Sequence, residues 1–190
     1  MIYLLLADGF EEVEALTPLD LLRRAGKEVY TVSITSSRTV CGAHGVTVLA
    51  DLTADEPAVP CDELLILPGG MPGTLNLDGS AVTERLIAQV LECGGRIGAI
   101  CAAPLILGKR GLLSGRRAVC YPGFEDELKG ATVLETSVVT DGPFTTATGA
   151  GVAVLFGAEL VSLLCGKETA VQLLSSFRYT DLQNERELFS

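Results

Sequence analysis

Arg96-Ile97-Gly98-Ala99-Ile100-Cys101-Ala102-Ala103-Pro104 carries an apolar run into a cysteine flanked by small residues. Residues 97–100 predict a buried strand and residues 104–109 a helix. Ala99 and Ala103 stand two positions before and two after the cysteine. A nucleophile on a sharp strand-to-helix turn needs small side chains at those offsets, because larger ones clash across the bend. A helix N-terminus beside the sulfur favours thiolate over thiol. The competing reading is a buried cysteine that fills a strand end, since free cysteine is commonly buried.

Working outward, strand-like runs alternate with helix-like ones. Residues 2–7 are continuously apolar and read as a buried parallel strand, not a signal peptide, because they lack a basic start and meet Asp8. Residues 10–26 follow as a helix, with Glu11 and Glu12 at the end that favours acids and Arg23 and Arg24 before the terminator Gly26. In one continuous helix Glu14 heads the stripe Pro18, Leu21, Leu22 and Ala25. Burial there raises its pKa and lets it hold a proton for a thiolate. Pro18 opens the other reading, in which Thr17 caps a second helix and Glu14 is only a first-turn acid.

Further strands are expected at 28–35, 64–67, 96–101, 118–121, 132–134, 138–140 and 144–147, with a hairpin at 38–50 around His44 and a loop at 58–60. Helices are expected at 82–93, from 148–151 to 165, and at 167–177. Pro68-Gly69-Gly70-Met71-Pro72-Gly73 ends the 64–67 strand. Its glycines let backbone amides approach a ligand and suit a paired-amide oxyanion site. The spacing is neither a phosphate loop nor a dinucleotide fingerprint. Alternating strands and helices predict a parallel sheet covered on both faces, with a ligand crevice outside the strand carboxyl ends. Residues 8–14, 68–73 and Cys101 all follow such ends, which favours the elbow over the filler.

With 190 residues, 48% of them hydrophobic, the chain suffices for one domain over 1–190, ending in a polar tail at 178–190. The formal net charge of −10 argues against a general binder of nucleic acid or anionic membrane. Lys109, Arg110, Arg116 and Arg117 read as a solvated basic loop. No apolar run approaches a membrane span. The six cysteines, at 41, 61, 93, 101, 120 and 165, form no zinc spacing. They are expected as free thiols in a reducing cytoplasm, with the five other than Cys101 serving as packing. His44 is the single histidine, so no histidine-built metal site is expected.

Glu11-Glu12-Val13-Glu14, Leu67-Pro68-Gly69-Gly70 and Ala99-Ile100-Cys101-Ala102-Ala103-Pro104, in that order, resemble the ThiJ/PfpI superfamily. The resemblance is strongest to its branch of Parkinson-disease-associated deglycases (DJ-one) and YajL proteins, and it runs over about 2–177. It implies a flavodoxin-like three-layer α/β/α sandwich with a mostly parallel sheet, of the class I glutamine amidotransferase-like kind, and a homodimer. It also implies Cys101 as nucleophile, Glu14 as its hydrogen-bonded acid, and Gly69, Gly70 and Ala102 around the substrate oxygen. Tyr121, Gly149, Ala150 and Arg24 are expected about the pocket, Arg24 near the dimer interface.

Four departures stand out. PfpI-type proteases carry histidine where this chain has Ala102, which argues against a Cys-His protease. Some relatives carry histidine at the place of Tyr121, and the family's Gly-Pro-Gly turn is here Gly149-Ala150-Gly151. His44 stands where relatives often have arginine. The resemblance implies a cofactor-independent enzyme acting on methylglyoxal or glyoxal, free (glyoxalase III type) or as adducts on proteins (deglycase type). A cysteine-oxidation sensor or stress chaperone is the alternative, since it would use the same residues. Thiazole biosynthesis, the old ThiJ label, finds no matching phosphate site.

Overall fold

In the computed structural model, residues 1–56 and 62–179 are described. The loop expected at 58–60, Cys61 and most of the tail expected at 178–190 lie outside them. The chain runs β1 (Ile2–Leu6), α1 (Glu12–Arg24), β2 (Val29–Ser33), β3 (Thr39–Cys41), β4 (Thr47–Leu49), β5 (Leu52–Thr53) and β6 (Leu64–Leu67). It continues with α2 (Gly73–Asp78), α3 (Ala81–Glu92), β7 (Arg96–Ile100), α4 (Pro104–Lys109), β8 (Arg117–Ala118) and β9 (Thr132–Val133). The last elements are β10 (Val138–Asp141), β11 (Phe144–Ala147), α5 (Ala153–Cys165) and α6 (Lys167–Ser176).

Seven strands form the central sheet in the order β10-β11-β7-β6-β1-β2-β5. Every pairing in it is parallel except β10 with β11. Strand alternation divides the core into two layers. Tyr3, Leu5, Leu65, Leu67, Ile97 and Ala99 face α2, α3 and α4. Ile2, Leu4, Leu6, Leu64, Ile66 and Ile100 face α1, α5 and α6. This is a three-layer α/β/α sandwich, as expected. Each fully buried leucine in these layers contributes roughly 1.5–3 kcal/mol.

Sheet order explains where the site lies. After β1 the chain steps outward to β2, then returns to place β6 on the other side of β1. The connections leaving β1 and β6 therefore part at their carboxyl ends, as they do at the crevice of open α/β sheets. The loops after both strands are tied together: Glu11 N–H donates to the Gly69 carbonyl at 2.9 Å and Gly73 N–H to the Gly9 carbonyl at 3.1 Å.

Several expectations are corrected. α1 is one helix with Pro18 inside it, so Thr17 caps no second helix. Pro18 is tolerated because it packs at the crossing with α5: a Cβ on Gly157 would lie 3.0 Å from Pro18 Cα and 2.7 Å from Leu21 Cδ1. Residues 118–121 are not a strand beyond Ala118, since the Val119 N–H donates to Thr146 Oγ1 (2.9 Å). A short helix, α2, begins at Gly73, in a stretch for which no element was expected. The basic cluster lies about an exposed turn, as expected, and its charges are paired there, Lys109 and Arg110 with Asp78, and Arg116 and Arg117 with Asp141.

Candidate active site

Cys101 follows the last residue of β7 and takes φ 65°, a left-handed conformation rare for a residue with a side chain. Such strain costs roughly 1–3 kcal/mol and persists only where neighbours fix it. Here both flanking peptide groups are held. Cys101 N–H donates to the Ala147 carbonyl at 2.9 Å, and the Cys101 carbonyl accepts from Tyr121 N–H at 2.8 Å. α4 then starts at Pro104. This is the elbow that residues 96–104 predict.

Glu14 approaches the sulfur from α1. It is 1% exposed, and its Oε2 accepts the Gly69 N–H at 3.0 Å. A Cβ on Gly69 would lie 2.6 Å from that oxygen and 2.7 Å from Cys101 Cβ. Only glycine leaves room for the acid and the cysteine to meet. Gly70 adopts φ +91° and could not hold a side chain there without meeting Gly9 and the backbone of Phe10 and Glu11.

Burial pushes the Glu14 carboxyl up to about 7, with repulsion from Glu11 adding to it and hydrogen bonds from Cys101, Gly69 and Ala150 opposing it. Burial also pushes the Cys101 thiol up to about 12, helped by the charge of Glu14 and the hydrogen bond to it. Backbone amides of Ala102 and Gly70 bond the sulfur and pull the other way. The sulfur is thus pushed toward the thiol, contrary to what the helix N-terminus alone predicts. Desolvation and a neighbouring carboxylate outweigh the dipole. Glu14 is the group of this pair that gains and loses its proton near neutrality.

An open cleft of about 880 Å³ lies alongside, lined by Cys120, Tyr121, Glu125, Glu135, Gly149 and Ala150 among others. Gly149 links it to the acid: a Cβ there would stand 3.3 Å from the Tyr121 ring and 3.9 Å from Glu14 Oε1. The expected pocket residues Tyr121, Gly149 and Ala150 are therefore together, Tyr121 being half exposed.

Arg24 is not among them. It is bound to Asp20 at 2.7 Å and lies over the Phe177 ring at 5.6 Å. It is ten residues along α1 from Glu14, about 15 Å by helical rise. His44, expected to be solvated, is exposed but faces Glu12 and Glu11 through Nδ1. That contact lies outside any sequence spacing. Cys120 is buried and its thiol is pushed up to about 11 by burial and the charge of Glu125.

Residues 1–163 match the sequence profile of the DJ-1/PfpI family. The chain is 34% identical over 166 residues to Deglycase TK1284 of Thermococcus kodakarensis, covering 86% of this chain and 98% of that one. It is 37% identical over 169 residues to Protein DJ-1 homolog B of Arabidopsis thaliana, covering 88% of this chain and 39% of that protein. This chain thus spans about two fifths of that plant relative's length. Among solved structures, oxidized DJ-1 of Toxoplasma gondii superposes with a TM-score of 0.87 at 32% identity, covering 95% of this chain and 98% of that one.

Proposed function

Because this chain belongs to the DJ-1/PfpI family, we propose that it is a cysteine enzyme that detoxifies 2-oxoaldehydes such as methylglyoxal and glyoxal, or reverses their adducts on proteins. The observation that carries this reading is the meeting of a buried carboxyl poised at about 7 with the thiol of a strained elbow. A relative named a deglycase aligns along 98% of its length, which supports the same class of reaction.

The chemistry runs as follows. The Glu14 carboxylate takes the thiol proton while the sulfur bonds to the aldehyde carbon, forming a hemithioacetal. Amides of Gly70 and Ala102 receive the developing oxyanion, which takes the proton back from Glu14 to become the hydroxyl and leaves Glu14 a carboxylate again. Glu14 then moves a proton from that carbon to its neighbour. The first carbon is oxidised to a thioester while the adjacent carbonyl is reduced to an alcohol. Water cleaves the thioester, releases a 2-hydroxy acid and returns the thiol. Electrons balance within the substrate, so the sequence of steps calls for no redox cofactor.

The cleft of about 880 Å³ is far larger than a three-carbon aldehyde, and this supports adducts as substrates. Its Glu125 and Glu135 favour neutral or cationic ones. The rival role, a thiol that oxidises selectively as a sensor, calls for a resting thiolate. It would use the same Cys101 and Glu14, and the likeness to a relative named a deglycase favours the enzyme.

A homodimer belongs to this reading. Val13, Leu16 and Leu49 leave apolar side chains exposed on α1 and on the β3–β4 hairpin, which lies against the first turn of α1. Light scattering of the purified chain tests it. Location in a reducing cytoplasm is proposed from the free thiols of Cys41, Cys93, Cys101, Cys120 and Cys165. Among the described residues no helix is long and apolar enough to cross a membrane.

The deciding experiment is methylglyoxal consumption with lactate detection, without glutathione, on wild type, Cys101→Ala and Glu14→Gln. Turnover in wild type that is lost in both variants supports the proposal. A folded wild type without turnover on free or adducted aldehyde sinks it.

A further inference from the structure

Three potential metal ligands meet where the β3–β4 turn touches the start of α1. His44 sits in the turn between β3 and β4, and Glu11 and Glu12 lie at the start of α1. His44 Nδ1 stands 3.0 Å from Glu12 Oε2 and 3.5 Å from Glu11 Oε2. The ligand atoms of all three residues lie within 4.8 Å of one another.

Those distances match a coordination shell. Nitrogen and oxygen ligands about 2.0–2.1 Å from a tetrahedral zinc ion are about 3.3 Å apart. The two observed separations bracket that value. Glu12 is also oriented for the task. Its Oε1 accepts the backbone N–H of His44 at 2.9 Å and of Val46 at 3.3 Å. Oε2 is thereby aimed at the imidazole, the outer-shell fixing that metal-binding carboxylates use. Gly42 leaves the room this needs, because a Cβ there would strike the Glu12 carboxyl. The His44 side chain is 69% exposed in the single chain, on the same face of α1 and the hairpin as the proposed dimer contact.

We propose that Glu11, Glu12 and His44 bind a divalent transition-metal cation of the zinc type, through Nδ1 of the imidazole and one oxygen of each carboxylate. One imidazole and two carboxylates suit borderline cations over calcium or magnesium, which prefer all-oxygen shells. Two negative charges and a neutral ring balance the ion, which replaces the present contact between His44 Nδ1 and Glu12 Oε2. The site takes neither Cys101 nor Glu14 as a ligand, although the charge of Glu11 also acts on Glu14.

Zinc(II) titration of the full chain against a chromophoric chelator tests this. Wild type takes up one equivalent, and His44→Ala and Glu11→Gln each weaken it by about 10-fold or more. His44 is exposed and Glu11 partly buried, so circular dichroism checks that each variant is folded. Cys101→Ser and Cys41→Ser keep wild-type affinity. Cobalt(II) gives visible bands of a nitrogen and oxygen shell without an intense thiolate charge-transfer band. Wild type that binds nothing, a His44→Ala protein that binds as wild type, loss of binding in either serine variant, or a thiolate band each overturns the proposal.

Discussion

Glu12 and Glu14 stand two residues apart in the same helical turn, and their carboxyls are driven in opposite directions. In both, burial is the largest influence and works against the charge. On the hairpin side, hydrogen bonds from the His44 ring and from backbone groups including the amides of His44 and Val46 overcome it, holding Glu12 at about 2. On the sheet side, Glu14 has the Gly69 amide and a thiol but faces the charge of Glu11, and it rises to about 7. Burial therefore does not decide protonation. What decides it is how many donors the surroundings supply after burial has taken water away.

The sharpest way to break this contrast is at the thiol. Cys101→Ala is expected to lower kcat/KM by at least about 10³-fold, measured by aldehyde loss, because covalent attack has no substitute. Glu14→Gln comes next, with a loss of about 10²–10⁴-fold in kcat, since the amide cannot shuttle a proton. A variant that turned over as fast as wild type would remove Glu14 from the mechanism. Gly69→Ala should cost about 10²-fold in kcat by pushing the acid and thiol apart. Glu12→Gln should change kcat by less than about 10-fold, because it touches only the hairpin, yet cost about 1–3 kcal/mol at neutral pH through lost charge-assisted hydrogen bonds.

Stability against pH sharpens the same contrast. The unfolded chain gives up the Glu14 proton near 4.5 and the folded chain near about 7. Between those values the folded state holds the extra proton, so stability falls as pH rises and levels off above about 7. The shift from 4.5 to about 7 corresponds to about 3 kcal/mol. Denaturant titrations should show Glu14→Gln gaining on wild type by that order across this window. Glu12 has the opposite sign: its contribution is present above 4.5 and is lost as pH falls toward about 2. Glu12→Gln in the presence of a chelator should therefore converge with wild type in acid.

Much of the scaffold was legible in the residues. Leu64–Leu67, Pro104–Lys109 and Phe144–Ala147 lie where apolar runs and breakers put them. The elbow at Cys101 followed from its small neighbours only once residues 8–14 and 68–73 converged on the same crevice, and the burial of Glu14 was one of two readings that its spacing left open. The thiol's direction of shift was not legible, because it depends on packing and on a charge 87 positions away in sequence. The same holds for His44, which meets Glu12 across 32 positions. α1 runs through Pro18 although proline cannot supply a helical donor, since its contact with α5 at Gly157 was hidden. The expected strand at 118–121 fails because Val119 and Tyr121 spend their amides on Thr146 and Cys101 instead of on a neighbouring strand.

The elbow clamp has a consequence for how the chain folds. β1 pairs with β6 through Ile2 and Leu64, β6 with β7 through Leu67 and Ala99, and β7 with β11 through Ile100 and Ala147. Contacts of such sequence separation form slowly, because loop closure precedes any reward from pairing. The helices can nucleate locally, but the strained Cys101 backbone is held only after the Ala147 carbonyl arrives from β11. A ribosome-bound chain that has made β7 without β11 therefore carries the cysteine without the geometry that constrains it. The reactive centre is a product of the sheet's completion, and it matures late in the life of a newly made molecule.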